Sequence, residues 1–113
     1  MKSLLIAGLL SALMTGQAGA QVYYSYPEWE RLNDSARAVY IAGAYDSLVS
    51  IATPDTASAS RHYSKCIGSN RLTNEQLARN VRTFVATRPD LQKGPVQGGL
   101  LNYLVELCGA PPN

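Results

Sequence analysis

Two cysteines, Cys66 and Cys108, constrain this chain more than any other feature, because its N-terminus reads as an export signal. Met1, Lys2 and Ser3 form a short basic start. Leu4 to Met14 is an apolar run broken only by Gly8 and Ser11, and Ala18-Gly19-Ala20 supplies the small-x-small pattern of a cleavage site. This three-part layout is that of a secretory signal peptide over residues 1–20. Cleavage after Ala20 leaves a single domain over residues 21–113. The apolar run is too short to be kept as a membrane span, and no later stretch is long enough. Gln21, not a cysteine, follows the cleavage site, which argues against a lipid anchor. The expected compartment is the periplasm. It is oxidising, and there a lone pair of cysteines ordinarily joins. A bridge between residues 66 and 108 stabilises by about 4 kcal/mol in the chain-entropy model. That is a large share of the roughly 5–15 kcal/mol that holds a small domain. The rival readings are a catalytic thiol and a zinc site. The thiol would need a base, and the sole histidine is His62, four residues before Cys66. Two cysteines and one histidine lack the usual zinc-ligand spacing.

Charge narrows the function. The chain has 10 basic and 8 acidic side chains, with no basic cluster. A nucleic-acid partner calls for a concentrated basic face, so none is expected. The hydrophobic fraction, 46%, is that of a folded chain and not a disordered one.

Helix signals dominate the mature segment. Gln21 to Tyr26 is a Tyr-rich arm whose rings, with Trp29, are expected to lie on a helical core. Exposure of those rings to a partner is the functional alternative, since Tyr and Trp favour interfaces. Ser25-Tyr26-Pro27-Glu28 has the form of a capping box, with Pro27 tolerated in a first turn. Asn33-Asp34-Ser35 offers a second N-cap. Leu32, Ala36, Val39, Tyr40, Gly43, Ser47 and Ile51 then recur at helical steps, which predicts an amphipathic helix to about Ala52. Thr53-Pro54-Asp55 ends it. Residues 53–65 carry no clean period and read as a loop with one helical turn before Cys66. Gly68-Ser69-Asn70 reads as a turn. Thr73-x-x-Gln76 is a second capping box. It opens a helix with Leu77, Val81, Phe84 and Val85 on one face, stopped by Pro89. Pro95 suits the start of a last helix, with Val96, Leu100, Tyr103, Leu104, Leu107 and Cys108 along one side. Gly98 and Gly99 are weak helix formers and either delay its start or admit a close neighbour. The predicted fold is an all-α bundle of three to four helices with one disulfide. That bridge would pin the end of the last helix to the segment ahead of the middle one.

No catalytic constellation emerges. The chain has no G-x-S-x-G elbow, phosphate-binding glycine loop or H-E-x-x-H helix. Asp46 reads as a local hydrogen-bonding group or the ion-pair partner of a residue such as Arg82. Arg79 and Arg82 read as a solvated face. The expectation is a protein without enzyme activity, metal or cofactor.

The ordered set Tyr40-x-x-Gly43-x-x-Asp46-Ser47, Cys66, Thr73-x-x-Gln76-Leu77, Val81, Phe84, Pro89-x-Leu91 and Cys108 resembles the Tai/Rap immunity proteins of type VI secretion. The likeness covers residues 32–108. It implies a small exported α-helical protein that binds a peptidoglycan amidase effector, blocks its active-site cleft and works without chemistry of its own, in several members as a homodimer. Under this resemblance Tyr40, Gly43, Asp46, Gln76, Cys66 and Cys108 are framework, with Gly43 permitting close helix packing. The partner-binding surface does not carry over residue by residue. Arg61, His62 and Tyr63, placed on a protruding loop, are the candidate contact residues. The Tyr-rich arm and Gly98-Gly99 are departures from the family pattern. The alternative function is that of an HdeA-like periplasmic acid-stress chaperone. Eight carboxylates give acid activation little to work on.

Overall fold

A computed structural model of the protein describes residues 23–50 and 56–112. The signal segment, its cleavage site and the Thr53-Pro54-Asp55 helix stop lie outside the described residues. Six helices make up the described chain: α1 (Tyr26–Glu30), α2 (Asp34–Ser50), α3 (Ala57–Ser69), α4 (Asn74–Val85), α5 (Pro89–Gln92) and α6 (Val96–Cys108). α1 and α5 are single turns, so the bundle proper is α2, α3, α4 and α6. Among the described residues no strand is present beyond one isolated bridge between Ser25 and Pro95.

Local chemistry sets most of the helix starts. Ser25 and Thr73 both form complete capping boxes, with Glu28 and Gln76 reaching back to the cap backbone. Asn33 caps α2, its side-chain oxygen accepting from the Ala36 N–H at 2.8 Å. α3 ends in a Schellman arrangement. The Leu72 N–H donates to the Ile67 carbonyl and the Arg71 N–H to the Gly68 carbonyl, with Arg71 in the left-handed region at φ 53°.

The core forms where α1, α2, α4 and α6 converge. Trp29, Ile41, Val81, Val85, Leu100 and Leu104 are fully buried, each worth about 1.5–3 kcal/mol of removed apolar surface. The indole N–H of Trp29 donates to the Arg37 carbonyl at 3.2 Å, so burying that ring strands no polar group. α4 and α6 meet at Gly99, where a Cβ would lie 2.9 Å from Val85 Cγ2. This glycine, not Gly43, is the close-approach position. A Cβ on the exposed Gly43 would meet nothing within 4 Å.

The segment read as a loop over 53–65 is, from Ala57 onward, the helix α3. Its stripe is sparse: Ala59, Tyr63, Cys66 and Ile67 face inward. Contacts from outside the helix fix it. The Ser60 hydroxyl donates to the Val49 carbonyl, His62 Nε2 bonds the Gly109 carbonyl at 2.8 Å, and Cys66 is bridged to Cys108. The helix is therefore made by tertiary docking more than by propensity.

Candidate functional site

α2 buries one face and leaves another in solvent. Ala38 and Ile41, continued by the partly buried Tyr45 and Leu48, face the core. Of the residues expected from the sequence to face inward, Leu32 and Tyr40 pack against the edge of the core, whereas Val39 is 68% exposed and Gly43 and Ser47 are exposed as well. The reason is area. Gly43 and Ser47 offer almost no apolar surface to bury, so Ile41, Tyr45 and Leu48 take the core side.

The outward face floors two adjoining hollows. The first, about 340 Å³, is lined by Tyr23, Val39, Tyr40, Gly43 and Ser47 of the arm and α2, with Gln97 of α6. The second, about 500 Å³, shares Val39 and Tyr40 and adds Tyr24, Leu32 and Ala36. Among the described residues no charged side chain lines either one.

This surface is held from several sides. The arm is tied to the start of α6 by the Tyr26 N–H on the Gly94 carbonyl (3.0 Å) and the Val96 N–H on the Tyr24 carbonyl (3.2 Å). The Tyr24 N–H donates to the Tyr40 hydroxyl at 3.1 Å, and the two rings pack with centroids 5.1 Å apart. Gln97 donates to Ser47 Oγ at 2.8 Å, and that hydroxyl donates to the Ala44 carbonyl. The arm thus divides its rings. Tyr26 is sealed in the core beside Trp29, at a centroid distance of 5.7 Å, while Tyr23 and Tyr24 remain half exposed over the hollows.

Arg61, His62 and Tyr63 do not form one protruding contact surface. Tyr63 is buried, which raises its phenol pKa. His62 bonds Gly109 and meets the Tyr63 ring edge-on at 5.3 Å. Arg61 alone points to solvent. Of the framework residues, Gln76 completes the α4 cap, with its Oε1 accepting from the Thr73 N–H at 2.9 Å. Tyr40 braces the arm, and Cys66 and Cys108 form the bridge. Asp46 is exposed. Arg82 pairs with Glu30 at 3.4 Å, not with Asp46.

The ionisable groups with displaced pKa values serve the framework. Burial, and then the Glu30 carboxylate beside it, push Tyr26 up to about 12. Hydrogen bonds from Ser25 hold Glu28 below the usual carboxylate value. The buried Arg37 is satisfied by the Glu30 and Leu32 carbonyls and by Asp34. Among the described residues no group of three or more His, Cys, Asp or Glu is placed to hold a metal ion.

No family model, curated protein or solved structure matches the chain. The geometry itself offers a tyrosine-edged surface along α2, with no charged residue among its described lining.

Proposed function

We propose that the mature chain is an exported periplasmic binding protein that inhibits a peptidoglycan amidase effector by covering its active-site cleft. The partner class comes from the resemblance of residues 32–108 to the Tai/Rap immunity proteins. The observation that carries the binding role is the outward face of α2, where Val39 stands in solvent beside Tyr40, framed by Tyr23 and Tyr24. Tyrosine-rich, charge-poor patches have the composition of interface cores. The tethered arm holds that surface in one shape, which lowers the ordering cost of association.

The test is a titration of purified, oxidised residues 21–113 into secreted peptidoglycan amidases, beginning with any encoded beside this chain, while cell-wall cleavage is followed. The proposal expects cleavage to stop at one inhibitor per amidase. Undiminished cleavage at molar excess, with no complex on a sizing column, counts against it. Suppression of client aggregation only at low pH would instead favour the acid-stress chaperone.

A further inference from the structure

We propose that α3 is a redox-released clasp: reduction of the Cys66–Cys108 bridge frees this one helix and leaves the rest of the domain folded.

The core does not depend on α3. The fully buried side chains, from Trp29 of α1 to Leu104 of α6, all belong to α1, α2, α4 and α6. Of its own large apolar side chains α3 buries only Tyr63. Its ties to the rest of the fold gather instead at one place, the end of α6 and the tail that follows. The bridge joins Cys66 to the last residue of α6. Just beyond it the Gly109 carbonyl accepts from His62 Nε2 at 2.8 Å, and the Pro112 carbonyl accepts from the Ser58 hydroxyl at 3.5 Å. The Ser60 hydroxyl reaches elsewhere, to the Val49 carbonyl. Both tail hydrogen bonds lie at the exposed surface, where water competes for the same groups. The covalent tie is therefore the member on which the others rely.

Both cysteines are partly exposed, so the bridge is open to attack by a thiolate. The reductant is a dithiol oxidoreductase of the exported compartment. Its thiolate bonds to one bridge sulfur, the S–S bond breaks, and the other cysteine leaves as a thiolate that takes up a proton. The reductant's second thiol then displaces the remaining cysteine, which is protonated in turn. The reductant ends as a disulfide, and Cys66 and Cys108 end as thiols. The tail parts from α3, and α3 leaves the faces of α2 and α6 against which it packs. Apolar surface around Val49 is bared.

The test compares oxidised residues 21–113 with the same protein reduced by dithiothreitol under argon. Trp29, the single tryptophan, reports on the core. The expected result is that α3 amides lose hydrogen-exchange protection about tenfold or more. Trp29 fluorescence and the protection of α4 should stay as in the oxidised protein, and reoxidation should restore α3. The reduced form should bind more anilinonaphthalene sulfonate, a dye for exposed apolar surface. The Cys66→Ser, Cys108→Ser double variant should match the reduced state, whereas His62→Ala in the oxidised protein should leave α3 docked. Thioredoxin, a protein dithiol, should reduce the bridge without denaturant. Red-shifted Trp29 fluorescence with loss of α4 protection would make the bridge a staple of the whole fold and overturn the proposal. So would an α3 that keeps its protection once both thiols titrate, or a bridge that thioredoxin reduces only after unfolding.

Discussion

Gly43 and Gly99 show how a residue's meaning depends on which way its helix is turned. At Gly99 an added methyl would press on Val85 at 2.9 Å, inside a core that relaxes little. Gly99→Ala should cost about 1–3 kcal/mol. At Gly43 the same change meets open space and removes a poor helix former, so Gly43→Ala should stabilise by about 1 kcal/mol. Urea unfolding of the two variants reads both effects, and the account requires opposite signs. Both glycines were visible in the sequence as helix interruptions. Which one was the contact was not, because that depends on the rotation of α2 and α6 about their axes. Tyr26 supplies a pH dependence. Its phenol titrates near 10 in the unfolded chain and at about 12 in the folded one. Between those values the folded state holds the proton that the unfolded state has lost. The Tyr26 contribution is therefore whole below pH 10 and disappears as pH rises through 12. Urea midpoints should fall over that window, and Tyr26→Phe should flatten the fall.

At the scale of the helix, local rules wrote α1, α4 and α6 plainly. The two capping boxes, Pro89 and the Val96–Leu100–Leu104 stripe appear in the structure where the sequence placed them. α3 is illegible because it opens on Ala57-Ser58-Ala59-Ser60, followed by Arg61 and His62, which give no strong period. A faint signal was present: Ala59, Tyr63, Cys66 and Ile67 stand at helical steps, and they are the residues that face inward. α2 is legible but its exact rotation is not: Leu32 and Tyr40 pack against the core as expected, whereas Val39, Gly43 and Ser47 face solvent and the equally helix-spaced Ala38, Ile41 and Tyr45 face inward. Only the position of Trp29 and α4 decides between them. The groove was illegible for the same reason: it is the stripe the core did not take. The α3 terminus carries its own prediction. Arg71 occupies the left-handed position of the Schellman turn, where a side chain is disfavoured by about 1–2 kcal/mol. Arg71→Gly should keep the turn and raise stability by about 1 kcal/mol, after the glycine's greater freedom in the unfolded chain is subtracted. A lower melting temperature would contradict this.

For the molecule as a whole, the bridge between Cys66 and Cys108 spans a sequence separation of 42 and joins α3 to the end of α6. In the chain-entropy model its removal costs about 4 kcal/mol. A Cys66→Ser, Cys108→Ser double variant should unfold at markedly lower urea. Hydrogen exchange should show α3 losing protection first, because α3 contributes only Tyr63 among the large buried apolar side chains. The bridge ties α3 to the end of α6, and the tethered arm borders the α2 groove. The central claim is that this braced surface stops another protein's chemistry. The most direct measurement is cell-wall cleavage by a secreted peptidoglycan amidase, followed as oxidised residues 21–113 are added. The account predicts loss of cleavage that is complete at one molecule per amidase and is relieved by Val39→Asp. Cleavage that continues undiminished in molar excess, with no complex formed, would contradict it.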